Sequence, residues 1–108
     1  MKIKEGIFET PQYDLRIGKK FYFQYHGATY LYRIGEAWLY HEGGDNLAIL
    51  EAIQHHTGIE PKDLLQQCYG YSPVGGIWPQ WKSHDTQAVH NVFKLLSQCG
   101  VNIVPYAH

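Results

Sequence analysis

Seven histidines and two cysteines stand among 108 residues. These side chains could carry acid–base, metal or nucleophilic chemistry, so their spacing comes first. His55 and His56 are adjacent. On a helix neighbours point about 100° apart, so one ion cannot easily take both. The helical stripe places His56 among apolar residues and His55 in solvent. His84 and His90 also fall on different sides of a helix, and neither pair has the i, i+4 spacing that puts two imidazoles on one ion. His84-Asp85 has the form of the HD pair of metal-dependent phosphohydrolases. Such a pair needs further His and Asp ligands on other helices, and a helix start with a capping Asp accounts for it more simply.

Cys68 with His84 or His56 would make a thiolate–imidazole couple, but no nucleophile motif surrounds it. Cys68, Cys99 and two histidines would make a zinc site, but no CxxC or HxxxH spacing supports one. Gly43-Gly44-Asp45-Asn46 sits between a strand and a helix start, where free backbone N–H groups can hold an anion. It lacks GxGxxG and GxxxxGK[ST], and Glu42 and Asp45 would repel phosphate. The expectation is therefore no catalytic residue, no metal and no cofactor. The alternative is a small enzyme or small-ligand binder with His26, His41, His56 or Cys68 in a pocket.

The aromatic residues are the stronger signal. Nine Tyr, three Trp and four Phe make up 15% of the chain. That is more than a small core needs, and Tyr and Trp suit wet interfaces because each joins a large apolar body to one hydrogen-bonding atom. Where these rings sit depends on the elements that carry them.

Residues 3–8 read as a short strand, broken by Thr10-Pro11. Residues 21–26 are aromatic and β-favouring. Gly27-Ala28 and Gly35-Glu36 read as tight Gly-X hairpin turns, separating return strand 29–34 from third strand 37–41. These turns set a register. His26 falls opposite Thr29, Phe23 opposite Tyr32 and Phe21 opposite Ile34. Across the second turn Tyr32 falls opposite Leu39 and Arg33 opposite Trp38. Facing residues share a side and sides alternate along each strand. Phe21, Phe23, Tyr25, Tyr30, Tyr32, Ile34, Ala37, Leu39 and His41 then form the core face. Tyr22, Gln24, His26, Thr29, Leu31, Arg33, Trp38 and Tyr40 form an amphipathic outer face.

Three helices follow the strands. Asp45 or Asn46 caps a helix over 47–57, which ends at Gly58. Pro61 opens a short second helix through Leu64, Leu65 and Cys68. Ser83 or Asp85 caps the last, whose stripe is Val89, Val92, Phe93, Leu96 and Cys99. Residues 101–104 read as a closing edge strand stopped by Pro105. The fold class is α+β: an antiparallel meander of three strands, four or five with the terminal segments, packed on one face by two or three helices. Residues 1–108 are expected to form a single domain.

Charge and composition exclude several functions. Nine basic against ten acidic residues give a net charge of -1, so nothing draws the chain to nucleic acid or anionic lipid over distance. With 44% hydrophobic residues it is too apolar for a disordered chain, and no apolar run approaches the ~20 residues of a membrane span. Two cysteines without a signal-like start suggest reduced thiols in a cytoplasmic protein. The expected function is a non-enzymatic protein-binding module of the accessory, inhibitor or immunity type. Its contact residues are Tyr22, Gln24, His26, Arg33, Trp38 and Tyr40 on the sheet, with Tyr71, Trp78 and Trp81 from the long aperiodic loop 69–82. A homodimer through the sheet face or an edge strand is compatible with this pattern.

Overall fold

The structure is a computed structural model. It describes residues 13–36, 39–69 and 86–106, with the side chains of 67–69 left aside. The expected strand over 3–8, Ala37 and Trp38, the capping residues Ser83 and Asp85, and the loop residues Tyr71, Trp78 and Trp81 lie outside the described residues.

Strands β1 (Lys20–Tyr25), β2 (Ala28–Ile34) and β3 (Leu39–His41) are followed by helices α1 (Ala48–Thr57), α2 (Pro61–Tyr69) and α3 (Thr86–Gln98), and then by β4 (Asn102–Pro105). The four strands form one antiparallel sheet in the order β3-β2-β1-β4. This is the expected α+β fold, and the closing strand is present as an edge.

The register differs from the one predicted. Tyr25 pairs with Ala28, Phe23 with Tyr30 and Phe21 with Tyr32. The turn is therefore His26-Gly27, with φ of 48° and 83°. Two successive positive φ values define a type I′ turn, whose twist matches that of the flanking strands. Glycine occupies its second position rather than the expected first. Ile34 pairs with Leu39 and Arg33 with Tyr40, so the β2–β3 connection spans residues 35–38 and Arg33 does not face Trp38. Each pairing moved by two residues. Side chains alternate with period two, so the faces were preserved.

Of the predicted core face, Tyr30 and His41 are half-buried, Ala37 lies outside the described residues, and the other six form the floor of the core. Phe21, Phe23, Tyr25, Tyr32, Ile34 and Leu39 are buried in one cluster with Ile49, Leu50 and Ile53 of α1, Leu64 and Leu65 of α2, and Val89, Val92, Phe93 and Leu96 of α3. Phe93 sits at its centre, meeting Phe21 and Phe23 edge-on at 4.9 and 5.6 Å. All three helices thus lie on the same side of the sheet.

The start of α1 is held in an unexpected way. Leu47 occupies the N-cap position and makes no side-chain cap. The Asp45 carboxylate accepts the Leu47 N–H instead (2.9 Å). The buried Tyr32 hydroxyl reaches up from the sheet, accepts the Ile49 N–H (3.1 Å) and donates to the Asn46 carbonyl (2.6 Å). Burial keeps this phenol far above the ordinary tyrosine range. A core tyrosine therefore ties the second strand to the helix entrance, supplying an acceptor that a helix N-terminus lacks. Gly58 ends α1 as expected, with φ of 80° and its N–H on the Gln54 carbonyl (2.8 Å).

Candidate functional site

The sheet side opposite the helices carries three cross-strand rows. Pairing places Asn102, Gln24 and Thr29 in one row, and Val104, Tyr22 and Leu31 in a second. Glu42, whose N–H donates to the Leu31 carbonyl, extends the second row past the end of β3. The third row runs Tyr106, Lys20, Arg33, Tyr40: the Tyr106 N–H donates to the Lys20 carbonyl, Lys20 pairs with Arg33 and Arg33 with Tyr40.

That third row has a regular chemistry. The Lys20 ammonium lies over the Tyr106 ring at 5.6 Å, and the Arg33 guanidinium over the Tyr40 ring at 4.8 Å. Glu42 holds both cations from one side: Arg33 Nε donates to its carboxylate at 3.2 Å, and Lys20 Nζ forms an ion pair with it at 3.9 Å. Each cation thus has an aromatic face and a shared carboxylate. Single exposed pairs of these kinds contribute about 0–1 kcal/mol. Together they link four long side chains in one row. Tyr22 packs against Tyr106 at 5.4 Å, and Asn102 Nδ2 donates to Gln24 Oε1 at 2.7 Å.

Tyr22, Gln24, Arg33 and Tyr40 are therefore on one face, as predicted. His26 is not. It occupies the hairpin turn, and its positive φ carries the ring to the helix side, where it stacks on His56 at 3.7 Å with 8° between planes. Lys20, Glu42, Val104 and Tyr106 were missed as site residues. Lys20 was legible, since it continues the Tyr22, Gln24 alternation. Val104 and Tyr106 needed the pairing of β4 with β1, which no local signal announces.

Both sheet edges are blunted. By the alternation of an antiparallel ladder, Leu39 and His41 turn their backbone groups outward on β3. The His41 N–H is taken by Asn46 Oδ1 at 2.9 Å. On β4, Ile103 and Pro105 face outward; Pro105 has no N–H, and the Ile103 carbonyl accepts the Tyr13 hydroxyl at 3.3 Å. These are ways of discouraging strand addition, and they oppose the expected route of self-association through an edge strand.

His26, His55 and His56 come together at the hairpin tip; the other titratable residues away from the outer face are spread apart. His56 was expected among the apolar residues of α1, but it is exposed, and the buried positions of that helix are Ile49, Leu50 and Ile53. His41 stacks on Tyr32 at 4.9 Å, and its Nδ1 lies 3.1 Å from the Asp45 carbonyl. Cys99 is an unpaired thiol packed against the core, and burial pushes its pKa up. That disfavours the thiolate a nucleophile needs. Among the described residues no group of three His, Cys, Asp or Glu could hold a metal ion. No described helix is long and apolar enough to cross a membrane. Comparison with family models, with curated proteins and with solved structures finds no match in any of the three.

Proposed function

We propose that the protein is a non-enzymatic protein-binding module whose contact surface is the outer sheet face. The observation that carries this reading is the Tyr106–Lys20–Arg33–Tyr40 row, which crosses β1, β2 and β3 and ends on the residue just past β4, on the side away from the three helices. Tyr and Arg are the residue types that most often anchor protein interfaces, and here they are joined by ring–cation contacts. The neighbouring Val104, Tyr22 and Leu31 supply apolar area, and Gln24, Asn102 and Thr29 a polar rim. Two cations around one carboxylate make a poor phosphate tract, which favours a protein over a nucleic acid. The blunted edges direct association to the face. A homodimer is the special case in which the partner is a second copy. The unpaired Cys99 fits a reducing, cytoplasmic setting.

The test is affinity capture from the cells that make the protein, comparing wild type, Lys20→Ala/Arg33→Ala and the helix-side variant Gln54→Ala by quantitative mass spectrometry. Specific partners are expected to fall at least roughly tenfold with the sheet variant, since loss of one anchor costs on the order of 1–2 kcal/mol or more. They should persist with Gln54→Ala. Equal recovery by all three would remove the sheet face from the account.

A further inference from the structure

At the tip of the β1–β2 hairpin the His26 imidazole lies flat on that of His56, with ring centres 3.7 Å apart. Tyr25 meets both rings edge-on, at 4.4 and 5.4 Å. His55 meets His56 edge-on at 5.2 Å. His55 and His56 lie in the last turn of α1, so three imidazoles converge where a turn touches a helix end.

The geometry does not suit a shared metal ion. An ion must lie in the plane of each ring that binds it, and parallel planes this close have no common in-plane point. It does suit protons. The C-terminal end of a helix favours one positive charge, and an imidazolium stacks well on a neutral imidazole. A second charge in the same stack faces the first at contact distance.

We propose that the His26–His56 stack is a proton-operated latch, fastening the β1–β2 hairpin tip to the end of α1 and releasing it when both rings are charged. The backbone is suited to such a hinge. The turn is two residues long, and the residue that carries one ring, His26, is held at φ of 48°, a conformation that non-glycine residues rarely adopt. The titratable groups at the stack are His26 and Tyr25 from the hairpin and His55 from α1, with Cys99, beyond the end of α3, and Tyr30 of β2 acting on Tyr25. The charges acting on His56 are those of His26 and His55. Lost hydration is the larger cause and these two charges the smaller, and together they hold His56 below the ordinary histidine range.

The direction of the pH effect follows. The unfolded chain takes a proton at His56 more readily than the folded one. The closed state is therefore fully favoured above the ordinary histidine pKa of 6.5. It loses ground as pH falls through the lower folded value.

Nuclear magnetic resonance of the whole chain tests this directly. Ring-to-ring Overhauser contacts between His26 and His56 should be present at about pH 7.5 and lost as the pH is lowered past the His56 midpoint, which the same spectra report and which lies below the ordinary histidine value. In the wild type, amide protection of residues 25–28 should fall as the latch opens at low pH; in His26→Asn, which keeps a residue tolerant of positive φ, that fall should vanish and the His56 midpoint should move up. Persistence of the ring contacts after both rings have titrated would overturn the latch in the wild-type protein alone. An unmoved His56 midpoint in His26→Asn would overturn it independently.

Discussion

Replacing Tyr32 by Phe removes one oxygen and leaves the ring stack with Phe23 (4.8 Å) and the packing of a side chain only 1% exposed. What is lost are two hydrogen bonds at the entrance of α1. The Ile49 N–H loses its acceptor and the Asn46 carbonyl its donor. Leaving a buried polar group unpaired costs about 1–3 kcal/mol, and loss of a helix N-terminal acceptor typically costs about 1 kcal/mol. The two descriptions overlap, so the expected loss is about 2 kcal/mol. For a chain of this size that lowers Tm by roughly 8–16 °C. Urea denaturation followed by far-ultraviolet circular dichroism should show a lower midpoint at unchanged slope, because no surface is newly buried or exposed in either state. Amide exchange at Ile49 should accelerate ahead of its helical neighbours. Tyr22→Phe, on the outer face, is the control and should stay within about 0.5 kcal/mol. A loss below about 0.5 kcal/mol for Tyr32→Phe would refute the reasoning; the helix entrance would then not depend on the phenol.

Asn46→Ala should expose the His41 N–H at the open side of β3. About 1 kcal/mol of stability should be lost, with concentration-dependent association visible by light scattering. Gly27→Ala meets no steric obstacle but sits at φ of 83°; the left-handed backbone alone should cost about 1–2 kcal/mol in thermal or urea melts. Phe93→Ala removes the ring on which Phe21 and Phe23 abut and should cost about 3–5 kcal/mol, measured the same way.

The alternation of rings in residues 21–26 and 29–34 identified the strands, and with them the buried and outer faces. The turn was misplaced by one residue because a glycine-first turn and a glycine-second turn look alike when the neighbour is histidine. Sequence spacing could not reveal that His26 takes a left-handed backbone. One residue in that turn is two in the β1–β2 register, so parity survived there; across β3 four residues separate the paired ends instead of two, which keeps parity again and sets Arg33 opposite Tyr40. The cap of α1 was assigned to Asp45 or Asn46 by type. Asp45 does serve the turn, but Asn46 serves β3 and the phenol of Tyr32 serves the helix. A contact between residues 17 apart in the chain leaves no local trace. The same holds for Tyr106, which joins the outer face only because β4 returns beside β1.

The most direct measurement of the sheet-face account is site-specific photocrosslinking in the producing cell. A crosslinking residue is placed at Tyr22, Leu31 or Thr29 on the outer face, and at Glu51 or Gln54 on the exposed side of α1. The account predicts discrete protein adducts from the three sheet positions, an adduct of twice the chain mass if the partner is a second copy, and none from the helix positions. Adducts arising only from Glu51 and Gln54 would contradict it.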